Sequence, residues 1–378
     1  MIKLYEPKVT LSDIKSVVYA LGRCMISGNS QIVRDFEHKF ANYIGTKYAV
    51  AVNSGTSALQ TALHAVGVGP GDEVIVPSFT IISCANAVLA VGAVPVLVGV
   101  DRDTWCIDFE QVKAAITDRT KAILPVDMFG HPVNMWRFPT ISRVLIRGKG
   151  TIYTVEDACQ ALGASCSPGT YHPDTSYKCG KMATASCFSL YPNKTITSGE
   201  GGMITTDNID IYNKAKGYSS LYFGDRNKFE HRDIGFNFRM SGLNAALAHS
   251  QLDRIDEIIE GKHNTYNMYR ERLDGVDGIT FQKTQPWAKP VPWMVAILTR
   301  LPQVTVRKKL KEVGIETREF FKPLHQQLCL QGRVRAVQYD YDRSDRLYYY
   351  GLYLPSTPNL PEAKVDYVCD NLKRVLNG

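Results

Sequence analysis

The chain has 378 residues, 44% of them hydrophobic and 21% charged, which is the balance of a folded globular protein with room for one large domain and a smaller one. No apolar run reaches the ~20 residues of a membrane helix, and the N-terminal "MIKLYEPKVTLSD" lacks the apolar core of a secretion signal, so a soluble, cytoplasmic protein is expected. The formal charge of +7 has one dense basic stretch, "RKKLK" at 307–311; it reads as a solvated helix face, lacks the interleaved aromatics of a nucleic-acid surface, and the modest excess suits an anionic small molecule.

An N-terminal arm leads into "SQIVRDFEHKFANYIG", where Ile32, Phe36, Phe40 and Tyr43 fall on one helical face and Gly45 supplies the stop. The pattern then changes to short apolar strands alternating with helices. "YAVAVN" is a buried strand, and "SGTSALQTALHAVGV" is a turn feeding a helix. "DEVIVPS", "VPVLVGV" and "KAILPVDMF" read as strands, with helices at "IISCANAVLAVG" and "DFEQVKAAIT" between them. Further strands follow at "IYTVEDA", "SCFSLY" and "GGMITTD". Such alternation predicts a mostly parallel sheet covered on both faces. From about residue 245 the character shifts. "NAALAHSQLDRIDEIIEGKHNTYNMYRERL" reads as one long amphipathic helix, followed by a strand at "WMVAIL", a helix at "VTVRKKLKEVG" and a tyrosine-rich tail. The expected division is a large α/β domain over 1–245 and a smaller α+β domain, with its linking helix, over 246–378. The nine cysteines form no CxxC pair and no zinc spacing, so they read as free thiols and no metal is expected.

Four pieces carry chemistry. "NSGTSAL" joins a strand to a helix N-terminus, where amide N–H groups and hydroxyls can cradle a phosphate. "VEDACQALGA" puts Asp157 and Gln160 at the end of an apolar strand; a carboxylate buried there needs a cation, unless it caps the next helix. "FSLYPNKTITSGEGG" places Lys194 among small and hydroxylated residues, five positions after Ser189 and 37 after Asp157. Schiff-base chemistry needs such a positioned, desolvated amine. "IGFNFRMSGLNAAL" offers Asn237 and Arg239 ahead of a helix.

In their order on an alternating α/β pattern these pieces resemble a fold-type I (aspartate aminotransferase-like) enzyme that uses pyridoxal 5'-phosphate. The stretches "SGTSALQTAL", "GPGDEVIVPSFT", "VEDACQALGA", "FSLYPNKTITSGEGGMITTD", "GFNFRMS", "ETREFFKPLH" and "LYLPSTP" resemble the sugar aminotransferases of the DegT/DnrJ/EryC1/StrS family over nearly the whole chain. The resemblance implies that Lys194 holds the cofactor and moves protons, Asp157 keeps the pyridine nitrogen protonated, and Gln160 sits near the ring hydroxyl. It implies that Gly55, Thr56, Ser57 and Ser189 hold the phosphate, and that Asn237 reaches the cofactor phosphate of a second subunit in a homodimer. Ile81 stands where the family usually has an aromatic residue stacked on the cofactor ring. Arg318, Phe321 and His325 are the substrate-side candidates. Residues 165–185 form a longer segment than the family usually has there, either a surface hairpin or a border of the site. Family members that dehydrate at the sugar's C3 carry histidine at the position of Lys194, so transamination is expected. The donor implied is L-glutamate. The acceptor implied is a nucleotide-linked keto-sugar. "NKTITSGEGGM", "WMVAIL" and "ETREFFKPLHQQ" are most similar to the members that aminate C4 of GDP-4-keto-6-deoxy-D-mannose. UDP- or dTDP-linked 4-keto-6-deoxy-glucose is the alternative acceptor, and a non-catalytic binding protein of the same fold is a remote one.

Overall fold

A computed structural model describes residues 1–138, 151–168, 175–224, 227–337 and 341–378, and most residues in the five-residue strands of its large sheet are buried. In chain order these are β1 (Tyr48–Val52), β2 (Glu73–Pro77), β3 (Val94–Val98), β4 (Thr120–Ile123), β5 (Tyr153–Asp157), β6 (Ser165–Cys166), β7 (Tyr177–Lys178), β8 (Ala185–Ser189) and β9 (Gly202–Thr206). Toward the C-terminus come β10 (Ile279–Phe281), β11 (Ala288–Lys289), β12 (Val295–Thr299), β13 (Arg318–Glu319), β14 (Arg335–Ala336) and β15 (Gly351–Leu354). The large sheet has eight strands in the order β1-β9-β8-β5-β4-β2-β3-β14. It is parallel from β8 to β14, and only β9 runs against its neighbours.

Helices cover both faces, as continuous apolar strands require. The helices are α1 (Leu11–Gly22), α2 (Gln31–Ile44), α3 (Gly55–Ala65), α4 (Ser83–Ala90), α5 (Phe109–Ala115) and α6 (Ile209–Ser219), then α7 (Gly242–Leu252), α8 (Ile255–Leu273), α9 (Gln303–Glu312), α10 (Asp342–Tyr350) and α11 (Glu362–Asn377). Strand β1 shows the two-residue period: Val50 and Val52 join the core that holds Ala58 and Leu59 of α3, while Ala49 and Ala51 join Phe36 and Phe40 of α2 on the other face. Helix α2 ends as expected at Gly45, whose φ of +87° is the left-handed cap. Its buried stripe continues through Ile44, leaving Tyr43 only partly covered.

A second, antiparallel sheet, β10-β12-β15-β13, packs on α8, α9 and α11 through Tyr269, Leu310, Val368 and Leu372. The C-terminal part also returns to the large sheet, where β14 pairs with β3. Arg335 of β14 and Arg119 reach the buried carboxylate of Glu73 at 3.0 and 2.6 Å.

Two elements differ from the sequence reading. The helix expected from residue 244 onward is two helices, because Arg254 leaves the helical region (φ −119°, ψ 24°). Its guanidinium instead binds Asp13 at 2.9 Å and the Lys8 carbonyl at 2.6 Å, anchoring the N-terminal arm. The strand expected over "KAILPVDMF" stops at Ile123. Pro125 cannot donate to a ladder, and Phe129 and Gly130 take positive φ of 57° and 91°. The segment 165–185 is a hairpin at its base, where β6 pairs with β7 and β11; its residues 169–174 lie outside the described residues. "RKKLK" lies on α9 with Leu310 buried and Lys308 and Lys311 exposed. No helix among the described residues is long and apolar enough to cross a membrane.

Candidate active site

Strands β1, β8 and β5 end on one edge of the sheet, the edge where ligands bind in open α/β folds. A cavity of about 330 Å³ opens there. Its floor is the turn between β1 and α3. Ser54 caps α3 by accepting from the Ser57 amide at 3.1 Å. The Ser57 hydroxyl is spent within the turn, on Asn53 at 2.7 Å, so Ser57 shapes the turn and does not line the cavity. Gly55, Thr56 and Ser189 do line it. Glycine is required at two of these contacts. A β-carbon on Gly55 would stand 2.9 Å from the Ser189 β-carbon, and one on Gly202 would stand 2.3 Å from the Ser54 carbonyl oxygen.

Asp157, at the end of β5, is 1% exposed. One carboxylate oxygen accepts from the Cys159 amide at 3.0 Å and the other from the Cys84 thiol at 3.2 Å. No salt bridge reaches it among the described residues. Burial, then the Asp157 charge, raise the Cys84 thiol pKa, so Cys84 remains a neutral donor. Gln160 lines the same wall and accepts from the Phe129 amide at 2.9 Å.

Lys194 points into this cavity from the loop after β8. Its amine lies 4.3 Å from the centroid of the Trp293 ring. Removal from water lowers its pKa, opposed in part by Cys159 and Asp157. The Trp293 indole donates to the Asn193 carbonyl at 2.9 Å, and the Tyr5 hydroxyl donates to the Lys194 carbonyl at 3.1 Å, so two distant side chains fix the lysine's backbone. Trp293, Asn193, Tyr191 and Glu200 are cavity residues that the sequence reading did not single out.

Of the other expected residues, Ile81, Arg318 and Phe321 line the cavity. Phe321 stacks on Trp293 with rings 6.2 Å apart and 8° from parallel. His325 lies outside the lining; it pairs with Asp345 at 2.9 Å and stacks on Tyr341. Asn237 is exposed and outside this chain's own cavity, on a segment whose next residue, Phe238, holds the Asn53 amide through its carbonyl. All nine cysteines are free. One buried group, Asp127, Glu156 and Cys179, has ligand-type atoms within 4.8 Å of one another. None of the three lines the cavity, and burial raises both carboxyl pKa values.

A buried carboxylate without a salt bridge, a lysine amine withdrawn from water and a helix N-terminus line one cavity. A ligand with a protonated ring nitrogen, an aldehyde and a phosphate matches all three, so these residues fit pyridoxal phosphate. The DegT/DnrJ/EryC1/StrS aminotransferase family matches residues 12–373. The chain belongs to this family. With the lysine in place, this enzyme is a sugar aminotransferase that depends on pyridoxal phosphate. It is 34% identical to the GDP-perosamine synthase of Caulobacter vibrioides, over 99% of this chain and 98% of that one. It is 31% identical to the GDP-perosamine synthase of Escherichia coli O157:H7, over 98% and 97%. Among solved structures, S. venezuelae DesV is 30% identical with a TM-score of 0.87, covering 97% of this chain and 94% of its own.

Proposed function

We propose that this aminotransferase moves the amino group of L-glutamate to C4 of GDP-4-keto-6-deoxy-D-mannose, giving 2-oxoglutarate and GDP-perosamine. The observation that carries the reading is similarity to GDP-perosamine synthases at 31% and 34% identity along essentially the full length of both chains. Lys194 holds the cofactor, and its amine, whose pKa burial lowers, takes the proton from one carbon and returns it to another. Bound pyridoxal phosphate supplies the electron sink for the carbon that loses its proton. Asp157 holds the ring nitrogen's proton through a carboxylate that no salt bridge reaches among the described residues. Gly55, Thr56 and Ser189 hold the phosphate at the N-terminus of α3, and Gln160 stands by the ring hydroxyl. Ile81 packs on the ring face, while Arg318 and Phe321 meet the substrate.

The active unit in this reading is a homodimer. Leu11, Ile14, Val18 and Leu21 of α1 are each at least 50% exposed. They form a stripe at helical spacing on the side away from α7, a surface that a second copy would cover. In this reading Asn237, exposed and outside its own cavity, serves the neighbouring copy's cofactor phosphate.

The test is incubation with L-glutamate and each of three acceptors: GDP-4-keto-6-deoxy-D-mannose and the UDP- and dTDP-linked 4-keto-6-deoxy-glucoses. Amino-sugar formed fastest, by kcat/KM, from the GDP acceptor supports the reading. Preference for a UDP or dTDP acceptor overturns the substrate while leaving the aminotransferase intact.

A further inference from the structure

Lys262, in the middle of α8, is 2% exposed, and no other lysine among the described residues is buried this deeply. It forms no salt bridge among the described residues. Its amine donates to the Trp293 carbonyl at 3.0 Å and lies 5.1 Å from the centroid of the Tyr5 ring. These are the two residues that grip the catalytic lysine. Trp293 covers the Lys194 amine with its ring and holds the Asn193 carbonyl with its indole N–H. Tyr5 holds the Lys194 carbonyl. One buried amine therefore stands behind both supports of the loop at 193–194.

A methionine or leucine would fill this position without burying an amine. Its helical register asks for an apolar residue: Ile255, Ile258, Lys262, Thr265, Tyr269 and Leu273 are buried positions of α8 spaced by three and four, with Gly261 buried beside them. A lysine kept there against that pattern needs a task that an apolar side chain cannot perform.

Given that Lys194 is the reacting amine, we propose that Lys262 is a positioning residue: through the Trp293 carbonyl and the Tyr5 ring it holds in place the two side chains that fix the loop at 193–194. Burial, and then the nearby Lys194, bring its own pKa down to about 7, and the amine can donate to the Trp293 carbonyl with or without its extra proton. The other titratable groups facing the pair are Asp157 and Cys159, which act on Lys194 in the opposite sense, Tyr5 between the two lysines, and His263 beside Lys262.

The experiment uses the cofactor-free protein with Lys262→Met and Lys262→Arg. The rate of Lys194 acylation by an amine reagent at one pH is followed by mass spectrometry of its peptide. In Lys262→Met, which removes the donor to the Trp293 carbonyl, Trp293 and Tyr5 lose their hold and Lys194 acylation should rise severalfold. Lys262→Arg, which keeps a donor, should hold the rate near the wild-type value. In the reconstituted enzyme, Lys262→Met should lower kcat about tenfold, with KM for glutamate little changed. An unchanged Lys194 acylation rate in a folded Lys262→Met protein overturns the proposal. So does an equal change in the Met and Arg variants, which would make the role packing alone. Where Lys262→Met does not fold, Lys262→Leu takes its place with the same expected change. Because the labelling needs no substrate, it is independent of which sugar is aminated. Mapping the cofactor attachment site separately tests whether Lys194 is the reacting lysine.

Discussion

Replacing Gly55 by alanine tests the phosphate cradle at the point where the structure leaves no room. The new methyl would lie 2.9 Å from the Ser189 β-carbon and 3.1 Å from the Cys159 sulfur. Ordinary contacts begin near 3.4 Å, so α3 and Ser189 must separate by about 0.5 Å (3.4 − 2.9). That displacement is at the tolerance of a functional constellation, roughly 0.5 Å, and it opens the gap between the helix N-terminus and the hydroxyl that would share the phosphate. Overpacking costs about 1–3 kcal/mol, and an anion at a helix N-terminus gains about 0.3–2 kcal/mol. If about 1–2 kcal/mol of this falls on the bound state, cofactor affinity drops roughly 5- to 30-fold. The assay is titration of the cofactor-free protein with pyridoxal phosphate, read by visible absorbance. Gly69→Ala is the control, since its added carbon meets nothing within 4 Å. A folded Gly55→Ala protein that binds as tightly as the Gly69→Ala control would refute the packing argument.

Lys194→Ala should still bind the cofactor non-covalently, because the cradle and Asp157 remain, while single-turnover rates in both half-reactions fall by roughly 10²–10⁴-fold, the worth of a positioned base. Asp157→Asn removes the buried charge, so cofactor affinity and both half-reaction rates should fall together; dialysis followed by stopped-flow absorbance reads both. Ile81→Phe should tighten cofactor binding by about 1 kcal/mol, or roughly fivefold, by restoring a π-face where Ile81 now packs; equilibrium titration checks it, and weaker binding would show that the cavity lacks space for the ring.

What could be read from the sequence was local. The apolar pairs of β1, the Gly45 stop and the run of small residues around Lys194 each leave a signal within about ten residues, and the elements they mark are present. Gly55, Thr56, Asp157, Gln160, Ser189 and Lys194 come from three segments, yet each ends or follows a strand on one sheet edge, so chain order alone brought them together. The missing parts are long-range contacts. Arg254 breaks a helix because Asp13 lies across from it, not because of any residue nearby. Trp293 and Tyr5 reach Asn193 and Lys194 across separations of 100 and 189 residues. His325 sits in a motif stretch but turns toward Asp345, which only packing could reveal. Lys262 did leave a trace, as a charged residue in the apolar register of α8, but the high polarity of "EGKHN" hides it when the segment is read as a surface helix.

The most direct measurement of the central claim is the site of cofactor attachment. Borohydride reduction of the yellow protein with bound pyridoxal phosphate, followed by proteolysis and mass spectrometry, should place the reduced adduct on Lys194, in "FSLYPNKTITSGEGG". An adduct on Lys262 or any other lysine, or no adduct at all, would contradict the assignment of Lys194 as the lysine that carries the cofactor and moves the proton.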